Sequence, residues 1–209
     1  MTDELFWRRA LVLGSAFVYW AGVLVQARRV RRQIGRSPNL RPRGPKEKLL
    51  WAGWLLVIVV WMVQPILIDT LPPWLQVVHS LLHPVGFALG VLLTAAGYAG
   101  TLWCYASMGD TWRIGINRRE RNALVTQGPY RVVRHPIYLF QIVMLAGVLL
   151  LLPTVLSVSI LVVHLLCVLA KASDEEAYLL TVHSGEYENY VSRTGRLFPK
   201  WIKTASPPK

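Results

Sequence analysis

The sequence predicts an all-α integral membrane protein with about five transmembrane helices, the last two folded into a C-terminal hairpin. Two observations carry this. Hydrophobic residues make up 54% of the 209-residue chain and are gathered in long runs rather than dispersed. A run of about twenty residues crosses a bilayer core at about 1.5 Å per helical residue. The 23 Lys and Arg, in turn, fall mostly between those runs and in the tail, as cytoplasmic loops require. The net charge of +12 therefore reads as membrane topology. Nucleic-acid binding is excluded as a partner class, because no charged face is long enough to track phosphates.

The elements follow in order. Residues 10–27 form the first span. Arg28, Arg29, Arg31 and Arg32 follow at once, a stop-transfer pattern, so the helix reads as retained and not as a signal peptide. Residues 28–48, with nine Lys/Arg, one acid (Glu47) and three prolines, predict a cytoplasmic loop. The second span is 49–68, and Pro72-Pro73 marks a turn on the far side. Residues 74–83 predict an interfacial helix, and 85–107 a third span. Residues 108–136 are a polar connection. Residues 137–170 are too long for one span, and Pro153-Thr154 at their middle predicts a tight two-helix hairpin. The proposed cytoplasmic regions 28–48, 108–136 and 171–209 hold 9, 6 and 6 basic residues. That places the N-terminus outside and the C-terminus in the cytoplasm of a multi-pass protein of the cell inner membrane. The chain divides into an N-terminal set of helices, 1–107, and a C-terminal region, 108–209.

Polar chemistry is concentrated at two places. Residues 124–138 read LVTQGPYRVVRHPIY and pack Tyr130, Arg131, Arg134, His135 and Tyr138 between two apolar segments. After the last apolar segment come Asp174, Glu175 and Glu176. Three acids at a helix C-terminus oppose the helix dipole. A new helix starting at Ser173, with Glu176 three residues on, removes that conflict as a capping box and leaves Glu175 to face a ligand. Cys104 and Cys167 lie in apolar runs without ligand spacing, and His79, His83 and His164 are isolated. No metal site is expected from them. The nine Trp read mainly as interface anchors, with Trp112 and Arg113 placed to close a pocket.

Leu124, Val125, Thr126, Gly128, Pro129, Tyr130, Arg131, Val133, Arg134, His135, Pro136 and Tyr138 begin a longer pattern. After a hydrophobic hairpin it continues with Glu175, Glu176, Leu179, Tyr187, Tyr190 and Pro199. The whole resembles the isoprenylcysteine carboxyl methyltransferase family, which shares this C-terminal pattern with the phospholipid methyltransferases. The resemblance covers about residues 108–200.

It implies S-adenosylmethionine as methyl donor, held at the cytoplasmic membrane face, and a lipid or lipidated acceptor. The implied cofactor-binding residues are Asn122, Leu124, Val125, Gly128, Tyr130, Arg134, His135, Pro136, Tyr138, Glu175 and Glu176. Arg134, Glu175 and Glu176 are the implied catalytic set, and Tyr138 and Lys171 the implied acceptor contacts. A carboxylate can pair with the donor's ammonium, and Arg134 and His135 with its carboxylate. The tyrosines can contact the adenine or the sulfonium. The reacting atom of the acceptor (oxygen, nitrogen or sulfur) stays open.

The pattern departs at Asn122, where the family has His, at Phe140, where it has Gly, and at His183-Ser184, where it has Phe-Gly. The substrate arginine near the end of the last helix is also missing, and Lys171 is the nearest cation. Two other readings stay open: a sterol-reductase-like membrane reductase using NADPH, and a non-catalytic membrane protein of the same fold.

Overall fold

The computed structural model describes residues 2–35, 37, 38, 42, 44–112 and 123–200. Five helices account for most of them: α1 (Thr2–Ile34), α2 (Gly44–Leu67), α3 (Pro84–Met108), α4 (Pro136–Leu151) and α5 (Val155–Arg193). Proline opens α3 and α4, where its missing N–H costs no hydrogen bond. Four helices, α1, α2, α3 and α5, are long and apolar enough to cross a membrane. The expectation of about five spans is refined by α4. Its 16 residues make about 24 Å of helix against a hydrocarbon core of about 30 Å.

The short helix is capped by a distant arginine. Arg8 of α1 is fully buried and donates to the carbonyls of Leu150 and Leu151 at 3.1 and 3.2 Å. It also donates to His83 O at 2.9 Å and pairs with Glu4 at 2.8 Å. Carbonyls at a helix C-terminus have no intrahelical donor, and a guanidinium supplies several. Its neighbour Arg9 donates to Pro65 O at 2.7 Å and pairs with Asp69.

Three boundaries differ from the sequence reading. The first helix continues through Arg28–Arg32 to Ile34, because arginine is a good helix former and its charge suits a helix C-terminus. Gly35, at φ +71, then ends it. Residues 74–83 are two 3-10 turns, Pro73–Leu75 and His79–Leu81, rather than an interfacial helix. One reason is a tether: Val78 N donates to Pro153 O at 3.0 Å, tying this loop to the hairpin turn. Finally, no helix starts at Ser173. Its hydroxyl donates to Leu169 O at 3.0 Å inside α5, which runs unbroken past the acids and kinks only at Ser184, beside Gly185.

The α4–α5 hairpin turns at 152–154 as predicted, with Thr154 Oγ1 accepting from Ser157 N at 2.9 Å as the α5 N-cap. Helices α3 and α4 pack backbone to backbone through glycine, as membrane helices do. A Cβ on Gly97 would lie 2.5 Å from Phe140 O, and one on Gly100 2.3 Å from the Phe140 ring. The Phe140 departure is thus accommodated by α3, which offers a glycine to the ring.

Candidate functional site

The loop before α4 is shaped by local backbone demands. Gly128 adopts φ +57, and a Cβ there would lie 2.2 Å from Ser107 Oγ. Pro129 lies in the 3-10 turn Gly128–Arg131, and Pro136 starts α4. Between them, 132–135 run alongside the segment that follows α5. Gly195 N donates to Val132 O at 3.3 Å, Arg134 N to Gly195 O at 2.8 Å, and His135 N to Arg196 O at 3.0 Å. Val133 and Gly195 thereby form a single parallel bridge. This pairing satisfies backbone groups of a loop that carries the buried side chains of Tyr130, Val133 and His135.

The side chains then converge on the two acids. Arg134 Nε donates to Glu176 Oε1 at 2.9 Å. The same oxygen lies 3.2 Å from His135 Nε2. Arg196 donates to Glu176 Oε2 through Nε at 3.0 Å and through Nη2 as well. Tyr138 donates to Glu175 Oε1 at 2.9 Å and stacks on His135, ring centroids 5.6 Å apart. His135 Nδ1 lies 3.5 Å from Glu175 Oε2. Burial alone would lower the His135 pKa, but the hydrogen bonds to Glu175 and Glu176 outweigh it and raise the value above 6.5. Three cationic groups thus surround one carboxylate, and the arrangement is stable because nearly every polar atom has a partner.

Helix geometry separates the two acids. Adjacent residues on α5 point about 100° apart. Glu176 turns to the loop and to Arg196. Glu175 shares a face with Lys171, four residues earlier, and both line a cavity of about 570 Å³. Leu124, Val125, Tyr130, Arg134, His135 and Tyr138 line it too, as do His164, Tyr178, His183, Tyr187 and Tyr190. Much of the remaining wall is apolar and comes from α1 and α2, with Trp20, Leu24, Trp51, Trp54, Leu55 and Trp61. Leu24 and Leu55 are also exposed on the outer surface, so this wall borders the lipid-facing side of the bundle.

Lys171 is the anomaly. Its side chain is only 5% exposed, and among the described residues no carboxylate or hydrogen-bond partner meets its ammonium. Its ammonium opens to the cavity, so its pairing depends on what fills that space, since a charge is costly to bury without a partner. Two further buried groups at the cavity wall, Tyr187 OH and His164 Nε2, also have no partner.

Of the residues singled out from sequence, Asn122 and Arg113 lie outside the described residues. Gly128, Pro136 and Glu176 shape the loop or hold its cations, and the cavity wall is made by their neighbours. Trp112 is at the wall. Sequence reading missed Arg196, which it counted as one more basic tail residue. It also missed the tryptophans of α1 and α2 as cavity lining, since a Trp at an interface and a Trp at a pocket look alike in one dimension.

The fold and this site define a class: a multi-pass helical membrane protein with a charged, aromatic-lined cavity at one end of its bundle. Comparison with known proteins adds a likeness: residues 85–185 match the family model described as phospholipid methyltransferase. It is similar to the nickel-cobalt-cadmium resistance protein NccN of Alcaligenes xylosoxydans xylosoxydans, 28% identical over 112 residues, 54% of this chain and 49% of that protein. It is similar also to the cobalt-zinc-cadmium resistance protein CzcN of Cupriavidus metallidurans, 26% identical over 117 residues, 56% of this chain and 50% of that protein. The chain thus spans about half the length of these curated relatives.

Proposed function

We propose that this protein binds S-adenosylmethionine at the cytoplasmic membrane face and methylates a lipid-tailed acceptor. One observation carries the reading. One cavity brings together both charge signs, from Glu175 with Arg134 and His135, and an apolar wall of α1 and α2 tryptophans. The donor set fits the cofactor: a carboxylate for its ammonium, cations for its carboxylate, and stacked rings for its adenine and sulfonium. The volume falls within the range of about 300–1,000 Å³ usual for small-molecule sites. The sulfonium, when bound, supplies an electrophilic methyl group whose bond to sulfur breaks as the acceptor's lone pair forms the new one, the old bonding pair staying on sulfur.

The chain's own residues then have distinct parts. Glu175, oriented by the Tyr138 hydroxyl, takes the ammonium. Arg134 and His135, whose geometry Glu176 sets, face the carboxylate. Leu124 and Val125 cover the ring. Lys171 meets the polar end of the acceptor, while the α1 and α2 tryptophans hold its tail. Proximity and orientation then dominate the rate, since methyl transfer needs the acceptor on the axis of the breaking bond. The relatives carry metal-resistance names. In this chain, however, the carboxylate with the best geometry is already surrounded by Arg134 and Arg196, cations that repel a metal ion.

Calorimetry on detergent-purified protein tests the reading, with S-adenosylmethionine in one arm and NADPH in the other. Binding of the first and not the second is expected. Binding of NADPH alone points to a membrane reductase, and binding of neither to a protein that keeps the fold without the chemistry. Membranes supplied with labelled methyl donor should then transfer label to an organic-extractable acceptor. Cysteine labelling from outside that reached Lys200 would place the site away from the cofactor pool and overturn the cytoplasmic assignment.

A further inference from the structure

The segment after α5 lies beyond residues 85–185, yet it closes the acid–cation cluster. We infer that Arg196 is a positioning residue for this site, fixing Glu176 from behind so that Arg134 and His135 are held toward the cavity. The geometry is specific. Glu176 has two oxygens, and they are divided: Oε1 takes Arg134 and His135, and Oε2 takes Arg196. Arg196 Nη1 also donates to Ser173 Oγ at 3.3 Å, one turn before Glu176 on α5. The guanidinium therefore grips α5 at two points, a fork that a lysine ammonium reproduces only in part.

The backbone of the same residue holds the other side of the site. His135 N donates to Arg196 O at 3.0 Å, and Arg134 N to Gly195 O at 2.8 Å. One residue thus bridges the loop that carries His135 and the helix that carries Glu176. Its neighbour leaves no latitude: a Cβ on Gly195 would fall 1.7 Å from Phe198 O. Arg196 is itself 41% exposed at the side chain, and it is not among the residues that line the cavity. It acts through Glu176 and not on a ligand.

Two measurements test this, one resting on the proposed cofactor and one independent of it. The first is calorimetry with S-adenosylmethionine. Arg196→Gln should weaken the Kd about tenfold at unchanged stoichiometry, and Arg196→Lys should recover part of the loss. A purely structural role would lower the binding-competent fraction and leave the Kd of the rest unchanged. That outcome overturns the inference.

The second is the titration of His135, followed by NMR in ligand-free protein. The groups facing His135 are Glu175 and Glu176 from α5, Tyr138 from α4, Arg134 beside it and, through Glu176, Arg196. With Arg196→Gln the charge of Glu176 is no longer shared with that guanidinium, so the His135 midpoint should move upward, and Arg196→Lys should bring it back. An unmoved midpoint overturns the inference even if wild-type protein binds the cofactor. Absent cofactor binding with a shifted midpoint instead fails the functional reading and leaves Arg196 in its positioning role.

Discussion

The Tyr190 hydroxyl donates to the backbone carbonyl of Tyr130 at 2.6 Å, tying the end of α5 to the turn that opens the site. Both residues are buried, so the bond sits where an unmet carbonyl is expensive. Tyr190→Phe should destabilise the protein by about 1–3 kcal/mol. Tyr187 is the internal control: its hydroxyl is buried without a partner among the described residues, and Tyr187→Phe should leave stability unchanged or slightly raised. Thermal unfolding of both variants in one detergent decides this, and equal losses would contradict it.

The cluster around His135 sets a pH dependence. The folded-state pKa is raised above 6.5 because the hydrogen bonds to Glu175 and Glu176 outweigh burial. The stabilisation is therefore fully present below about pH 6.5 and is lost as pH rises through the raised folded value. The stability gap between wild type and His135→Ala should shrink with rising pH. A gap that widened toward alkaline pH would show His135 to be held neutral.

Phe140 and Gly100 form a complementary pair across α3 and α4. Gly100→Ala should cost about 1–3 kcal/mol by overpacking. In a Phe140→Ala background Gly100→Ala should cost much less, a coupling that a double-mutant cycle measures directly. Additive losses would mean that the ring is not what the glycine accommodates.

Lys171 and Glu175 share one face of one helix but should separate in function. Lys171→Met removes an ammonium that lines the cavity and has no partner among the described residues, so it should leave thermal stability unchanged or slightly raised while weakening acceptor turnover tenfold or more. Glu175→Gln should weaken S-adenosylmethionine binding about thirtyfold, the loss of one charge-assisted contact of about 2 kcal/mol. If Lys171→Met weakened the donor and spared the acceptor, the two ends of the cavity would be assigned the wrong way round.

Much of the architecture was legible because it is local. Run length picked out the apolar helices, and Pro84, Pro136 and Pro153 marked where helices start or turn, since proline lacks a donor wherever it falls. Continuity was less legible. Asp174, Glu175 and Glu176 suggested a break in the last helix, yet α5 passes through them. Their charges are met by Lys46, His135, Arg134 and Arg196, cations far away in sequence.

The sequence by itself determined that this is a helical membrane protein, where its hairpin turns, and which loop and which acids carry polar chemistry. Hydrophobic length, proline stereochemistry and residue type are properties of short stretches and need no knowledge of neighbours. Only the tertiary structure decided that Glu176, read from sequence as part of a capping box that left Glu175 to a ligand, is held by Arg196. It alone decided that α1 and α2 supply the tryptophan wall, and that Lys171 faces the cavity without a counterion among the described residues. Those are outcomes of packing between segments far apart in the chain, as with Arg8 and Leu151, 143 residues apart. Pairing of charges depends on distance in space, which the order of residues along the chain does not record.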